Sequence, residues 1–282
     1  MEAKASYPGS MGELIQGNFK GKDMLVSCPV NLYTEVKVYE TNEPKDKYSN
    51  YKTERFLENI LRLWDLSEYE KSLDIVINSN IPRGKGFASS TADLCALYHA
   101  LLKLFNKQYN EQQLIEQCIV IEPTDSIIFQ AMTLFEYKTG KSFQAIGPYT
   151  DFHILVFEGS KVIDTVEFNN KRLPVQKNIE DIFELLKMGI EEKDLEKLGR
   201  AATESIVRNQ HRLKYEGLRD ILDLSNKSGG LGVIGAHSGD CIGIIYEDKE
   251  NLEYTRKKFY KEKNYLVNSF KVYDVSTVKI EL

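Results

Sequence analysis

The chain has 282 residues, 42% of them hydrophobic, enough to bury a sizeable core as one large domain or two small ones. Its formal net charge of -5 speaks against a nucleic-acid partner, which normally needs a basic excess or stripe, but leaves room for a local anion pocket. Cys28, Cys95, Cys118 and Cys241 are far apart, as are His99, His153, His211 and His237, so neither a disulfide scaffold nor a zinc site is expected. Residues 1–8 hold no apolar signal core and no apolar run reaches membrane-spanning length, so a cytoplasmic protein without membrane contact is expected.

In chain order, glycines at 9, 12 and 17 mark 8–17 as turn-rich, with Glu13 a charge among apolar neighbours. The β-branched stretch 24–39 predicts strands, the polar stretch 41–52 a surface loop, and 56–66 a helix with Phe56, Ile60 and Leu63 on one face. A short strand over 73–77 leads to a loop over 81–90, then an amphipathic helix with Leu94, Leu97, Leu101 and Leu104 at helical spacing. Asn110 with Gln113 resembles a capping box, opening a helix that buries Leu114, Cys118 and Ile121 and that Pro123 ends. Stretches 132–137 and 141–146 form a hairpin around Thr139-Gly140, and Gly147-Pro148 marks a boundary between a domain over 1–147 and one over 148–282. Beyond it come strands at 152–157 and 161–168, and helices at 179–190, 195–208 and 218–226. A strand pair at 232–236 and 241–246, a helix at 251–262 and an extended end at 270–280 complete the chain. Strands and helices mix without regular βαβ alternation, which predicts an α+β fold.

Four segments carry chemistry. In the loop 81–93, Gly84 and Gly86 permit a tight turn and close ligand approach, and Ser89, Ser90 and Thr91 stand where a helix begins. Such a helix start offers unpaired N–H groups and a positive dipole end to phosphate, and hydroxyls there reach a magnesium ion. Alone, the segment is equally an ordinary glycine loop with a serine cap; it is neither a Walker A loop nor a dinucleotide fingerprint. The glycine-rich opening 8–17 alone reads as a turn leading into a strand. In 121–126, Glu122 falls at a helix C-terminus, where the dipole opposes a carboxylate unless a cation is near, and Asp125 follows in the loop. The two can divide metal ligation and proton handling, or Thr124 or Asp125 can simply cap the next element. Finally, the glycine-dense 229–243 holds His237, Ser238, Gly239 and Asp240 between two strand-like halves, a loop able to wrap a ligand or a plain hairpin turn.

Together and in this order the segments resemble the three motifs of the GHMP kinases: P-x-x-x-G-E at 8–14, P-x-G-x-G-L-G-S-S-A-A at 82–92, and a glycine-rich hairpin at 235–241. Within that superfamily the opening P-G-S-x-G-E-L-x-Q-G, Ser27-Cys-Pro-Val30 and the compact Glu122-Pro-Thr-Asp125 are similar to the L-threonine kinases of cobalamin synthesis and propanediol utilisation. Phe87, Ala88 and Thr91 depart from the usual Leu, Gly and Ala of the second motif.

The resemblance implies two lobes, an N-terminal ribosomal-protein-like α+β sandwich that binds ATP and a C-terminal ferredoxin-like domain. It implies ATP over Pro82, Gly84, Lys85, Gly86, Phe87, Ala88, Ser89, Ser90 and Thr91. It further implies Mg2+ on Ser90 and Glu122, Asp125 as base with Lys85 assisting catalysis, and Ser10, Gly12, Glu13, His237, Ser238 and Gly239 around the acceptor. A side chain at Gly86 is expected to weaken ATP binding and leave the fold intact. The implied partner is a small hydroxylated amino acid; homodimerisation is open. Homoserine as acceptor, a non-catalytic nucleotide sensor and a structural or RNA-associated domain are the alternatives.

Overall fold

The computed structural model describes residues 1–163, 173–261 and 265–280. Strand β1 (Glu2–Phe19) turns tightly into β2 (Lys22–Glu40), and the two pair antiparallel over almost their whole length. The stretch expected to be turn-rich therefore lies inside a strand. Its glycines and proline serve β-bulges: the register shifts between Pro8 and Ser10, between Ser10 and Glu13, and between Glu13 and Ile15. Gly12, at φ 59°, takes the left-handed turn one bulge requires.

The stretch read as a loop over 41–52 also holds structure, a 3-10 turn at Asp46–Ser49 and the start of helix α1 (Tyr51–Leu63). The Asn50 side chain caps α1 by accepting from the Lys52 amide at 3.1 Å. Strand β3 (Leu73–Ser79) joins the far half of β2. Helix α2 (Ser89–Phe105) is no amphipathic surface helix: every residue from Thr91 to Leu102 except His99 is buried, so it is the central rod of this half. Helix α3 (Glu111–Ile121) begins with half of the expected capping box, the Asn110 side chain accepting from the Gln113 amide at 3.0 Å. The Gln113 side chain turns instead to Trp64 and Tyr98. The hairpin β4 (Met132–Phe135) and β5 (Phe143–Gly147) follows, met by β2 at Leu25 and Phe135.

Next come β6 (His153–Glu158), α4 (Glu180–Glu192), α5 (Leu195–Asn209), α6 (Leu218–Lys227), β7 (Gly232–Gly235) and β8 (Cys241–Tyr246). Helix α7 (Lys249–Lys261), the short α8 (Leu266–Ser269) and strand β9 (Lys271–Ser276) end the described chain. Of the strand expected over 161–168, residues 161–163 are not strand and 164–168 lie outside the described residues, as does 262 of the expected helix 251–262. The strands run β5-β4-β2-β1-β7-β8-β6-β9, with β3 also on β2, and every pairing between them is antiparallel. This is the expected α+β architecture. The two halves of the sheet meet at one β1–β7 pair, Glu13 opposite Gly235, and one buried apolar cluster runs from Ala5 to Ile280 across that seam. The four cysteines are buried free thiols, all of them within this apolar cluster. Among the described residues no helix is long and apolar enough to cross a membrane.

Candidate active site

Beside that seam lies a cleft of about 1000 Å³. The loop 84–88 and the first turn of α2 make one wall, Glu122 to Asp125 another, and Glu13 and Gln16 of β1 close one end. Three distant segments build the loop. The Ser10 amide donates to the Phe87 carbonyl and the Gly12 amide to the Gly86 carbonyl, each at 3.0 Å, and the Asp240 amide donates to the Lys85 carbonyl at 3.0 Å. A Cβ on Gly9 would lie 2.6 Å from the Phe87 oxygen, one on Gly12 2.5 Å from the Gly235 carbonyl, and one on Gly239 2.3 Å from the Lys85 oxygen. The glycines of all three motifs are thus close-approach positions.

At the start of α2 the Ser90 hydroxyl donates to Glu122 Oε1, while Glu122 Oε2 accepts from Lys52 Nζ at 2.7 Å. Glu122 is the C-cap of α3, with its side chain 5% exposed. A buried carboxylate at the negative end of a helix needs a cation, and Lys52 supplies it. The sequence gives no sign of Lys52, a polar residue in a polar stretch, seventy positions from its partner.

Asp125 stands at the head of a 3-10 turn (Ser126–Ile128) but makes no side-chain cap. Its amide donates to Thr91 Oγ1 at 3.2 Å and its Oδ1 accepts from the Ser27 hydroxyl at 3.1 Å. Burial, joined by the charges of Glu13 and Glu122, pushes the Asp125 carboxyl up to about 7, with the Ser27 bond opposing the rise. Glu13, 7% exposed at its side chain, faces the same cleft. Arg83 also lines it, anchored at 3.0 Å to the buried Asp93, which accepts a second bond from Thr34 at 2.7 Å.

Gly84, Gly86, Phe87, Ala88, Ser89, Ser90, Thr91, Glu122, Asp125, Glu13 and Ser238 all border the cleft. The other expected residues lie behind its wall or beside it. Lys85 is buried, its ammonium bonded to the Gly159 and Lys161 carbonyls at 2.7 and 2.6 Å, and it does not border the cleft. Ser10 is fully buried with an unpartnered hydroxyl, His237 is fully buried behind Glu13, and Gly12 and Gly239 are packing positions; none of the four borders the cleft. Pro82 only leads into the loop. A Cβ on Gly86 would come 2.1 Å from the Ala236 Cβ, so a valine there disturbs the hairpin packing itself, contrary to the expectation of an intact fold.

A glycine loop feeding a helix start, a hydroxyl and a carboxylate together at that start, and a second carboxylate nearby are the kinds of group that phosphoryl transfer needs. The family descriptions GHMP kinases N terminal domain and GHMP kinases C terminal match residues 52–132 and 177–264. The chain belongs to the GHMP kinases, and is an ATP-dependent kinase that phosphorylates an alcohol group of a small molecule.

Among curated proteins it is similar to the L-threonine kinase of Salmonella typhimurium, at 31% identity over 88% of this chain and 84% of that one. It is likewise similar to the L-threonine kinase of Citrobacter freundii, at 29% identity over 90% of each chain. Among solved structures, L. major mevalonate kinase in complex with R-mevalonate superposes with TM-score 0.74 at 15% identity, over 99% of this chain and 97% of that one. The homoserine kinase of Cytophaga hutchinsonii gives TM-score 0.72 at 16% identity, over 99% and 95%. At such identities these two structures establish the shared fold.

Proposed function

We propose that the cleft transfers the γ-phosphoryl group of ATP to the side-chain hydroxyl of L-threonine, making L-threonine O-3-phosphate. The observation that carries the reading is the meeting of Ser90, Glu122 and Lys52 at the start of α2, with Asp125 in the same cleft. The likeness to two L-threonine kinases supports the choice of acceptor. The glycine loop and the amides opening α2 hold the phosphates, where the helix dipole favours negative charge. Ser90 Oγ and the Glu122 carboxylate are hard oxygen donors in contact, and these two residues would hold a magnesium ion. When bound, the ion neutralises charge on the phosphates; Lys52 holds Glu122 in place for it. Asp125 accepts the proton of the acceptor hydroxyl; Ser27 keeps its carboxyl in position and Thr91 holds its backbone amide. Glu13 takes the acceptor's ammonium group.

The division at 147/148 into an ATP-binding and a C-terminal lobe, a cytoplasmic setting, and use of the product for the aminopropanol linker of cobalamin belong to the same proposal. The purified protein, given Mg-ATP and a panel of L-threonine, L-serine, L-homoserine and mevalonate, is expected to release ADP fastest with L-threonine. ADP release with L-homoserine and none with L-threonine would refute the acceptor and leave the kinase standing.

A further inference from the structure

Glu13 sits between two bulges of β1, opposite Gly235. Its Oε2 accepts from the His237 amide at 2.7 Å and lies 3.0 Å from His237 Nδ1. The other ring nitrogen, Nε2, is 2.7 Å from Ser205 Oγ, which in turn accepts from the Gln16 amide at 2.9 Å. An amide can only donate, so the Ser205 hydroxyl hydrogen is free to point at Nε2. Two acceptors, Glu13 Oε2 and, at 3.2 Å, the Gly235 carbonyl, face Nδ1, so a ring proton sits on Nδ1, aimed at Glu13, and Nε2 can take the Ser205 hydrogen.

The ring is fully buried, so water offers it no alternative partner. Asn209 Nδ2 donates to the His237 carbonyl at 3.2 Å and the Tyr215 hydroxyl to the Ala236 carbonyl at 2.9 Å, which hold the backbone of this turn. Glu13 Oε1 has no hydrogen-bond partner among the described residues, and Glu13 borders the cleft. A carboxylate gripped from behind on one oxygen and open on the other is shaped to receive a cation.

We propose that His237 is a positioning residue for acceptor selection: its Nδ1–H, oriented by Ser205, fixes Glu13 with the free oxygen turned to the cleft, where it takes the ammonium group of an α-amino-acid acceptor. The inference rests on the reading of Glu13 under the proposed function and adds that the selection depends on the buried Gln16–Ser205–His237 chain. His237 would touch neither substrate nor phosphate.

The test compares L-threonine with 3-hydroxybutyrate, the same alcohol without its ammonium group, in full-length wild-type protein and in His237→Leu, His237→Asn, His237→Gln and Glu13→Gln. His237→Leu is expected to raise the KM for L-threonine on the order of tenfold, the effect of losing one hydrogen bond to a charged group. The KM for ATP should stay unchanged, and the preference for L-threonine over 3-hydroxybutyrate should fall by the same factor. His237→Asn, whose side-chain N–H can stand where Nδ1–H stands, is expected to restore most of the preference, and His237→Gln, reaching towards Ser205, to restore less. In the Glu13→Gln background His237→Leu should change nothing further. Equal rises in KM for both acceptors and for ATP, or an Asn variant no better than Leu, would overturn the proposal in favour of a purely structural histidine. If His237→Leu fails to fold, the Asn and Gln variants carry the same comparison, and equal preferences in the two would overturn it. Preference retained in Glu13→Gln refutes the reading of Glu13 itself. Preference lost there but kept in His237→Leu refutes only the role of His237, and a wild type that phosphorylates no amino acid removes both.

Discussion

In the proposed reaction Asp125 is the carboxyl that takes the acceptor's proton. Burial and two neighbouring carboxylates raise it to about 7, close to the pH at which a general base works best. Its activity should follow its ionised fraction, so kcat/KM is expected to rise with pH and level off above an inflection about 7. Asp125→Asn keeps the shape and removes the base; turnover should fall ~10²–10⁴-fold, ATP affinity measured by calorimetry should hold, and the inflection should vanish. Stability moves the other way. The folded state holds this proton more tightly than the unfolded chain, whose aspartates titrate about 3.9, so Asp125 weakens folding progressively as pH rises from about 4 to about 7. Asp125→Asn should therefore gain on wild type in urea midpoint over that interval, and a constant gap would refute the shift. At the neighbouring Ala88, φ is 52°, a left-handed backbone that a Cβ opposes. Ala88→Gly is expected to raise unfolding free energy by up to about 1 kcal/mol in urea titration.

At the scale of elements, the phosphate loop is tied to the segment 159–163. Lys85 Nζ holds the Gly159 and Lys161 carbonyls, Asp240 accepts from the Lys161 amide at 2.6 Å, and the Ile163 amide donates to Gly84 at 2.8 Å. Val162 and Ile163 thereby line the cleft next to the loop. Lys85→Met should loosen this wall and raise the KM for ATP several-fold, on the order of one or two lost hydrogen bonds, with the KM for L-threonine nearly unchanged in steady-state assays. A collapse of kcat with unchanged KM for ATP would instead return Lys85 to the phosphates.

Most helices and the β4–β5 and β7–β8 hairpins were legible from periodicity and turn chemistry, because those signals are local. The bulged middle of β1 was not. Gly9 and Gly12 there follow close approach by a loop more than seventy residues away, and from sequence such positions look like a turn. In the site, the loop, Ser90, Glu122 and Asp125 could be read because their types and order form a pattern. Lys52, Arg83 and the burial of Lys85 and His237 could not, since each depends on a partner that only folding supplies.

For the molecule as a whole, the cleft exists because two halves of one sheet touch at Glu13 and Gly235 while sharing a core. Gly12 is a tight point of that seam: it combines φ 59° with a Cβ position 2.5 Å from the Gly235 backbone. Gly12→Ala is expected to lower unfolding free energy by about 2 kcal/mol or more, read by denaturant titration, and to reduce activity through Glu13, its neighbour. The same seam sets Asp125 and Glu13 in one cleft with the glycine loop, which fits the proposed acceptor, a small molecule carrying both a hydroxyl and an ammonium group. The most direct test of that account is phosphorus NMR of the purified protein with Mg-ATP and L-threonine. The account predicts ADP and, in equal amount, a phosphomonoester coupled to the threonine β-proton, the signature of L-threonine O-3-phosphate. ATP converted only to ADP and inorganic phosphate, or left intact with L-threonine present, would contradict it.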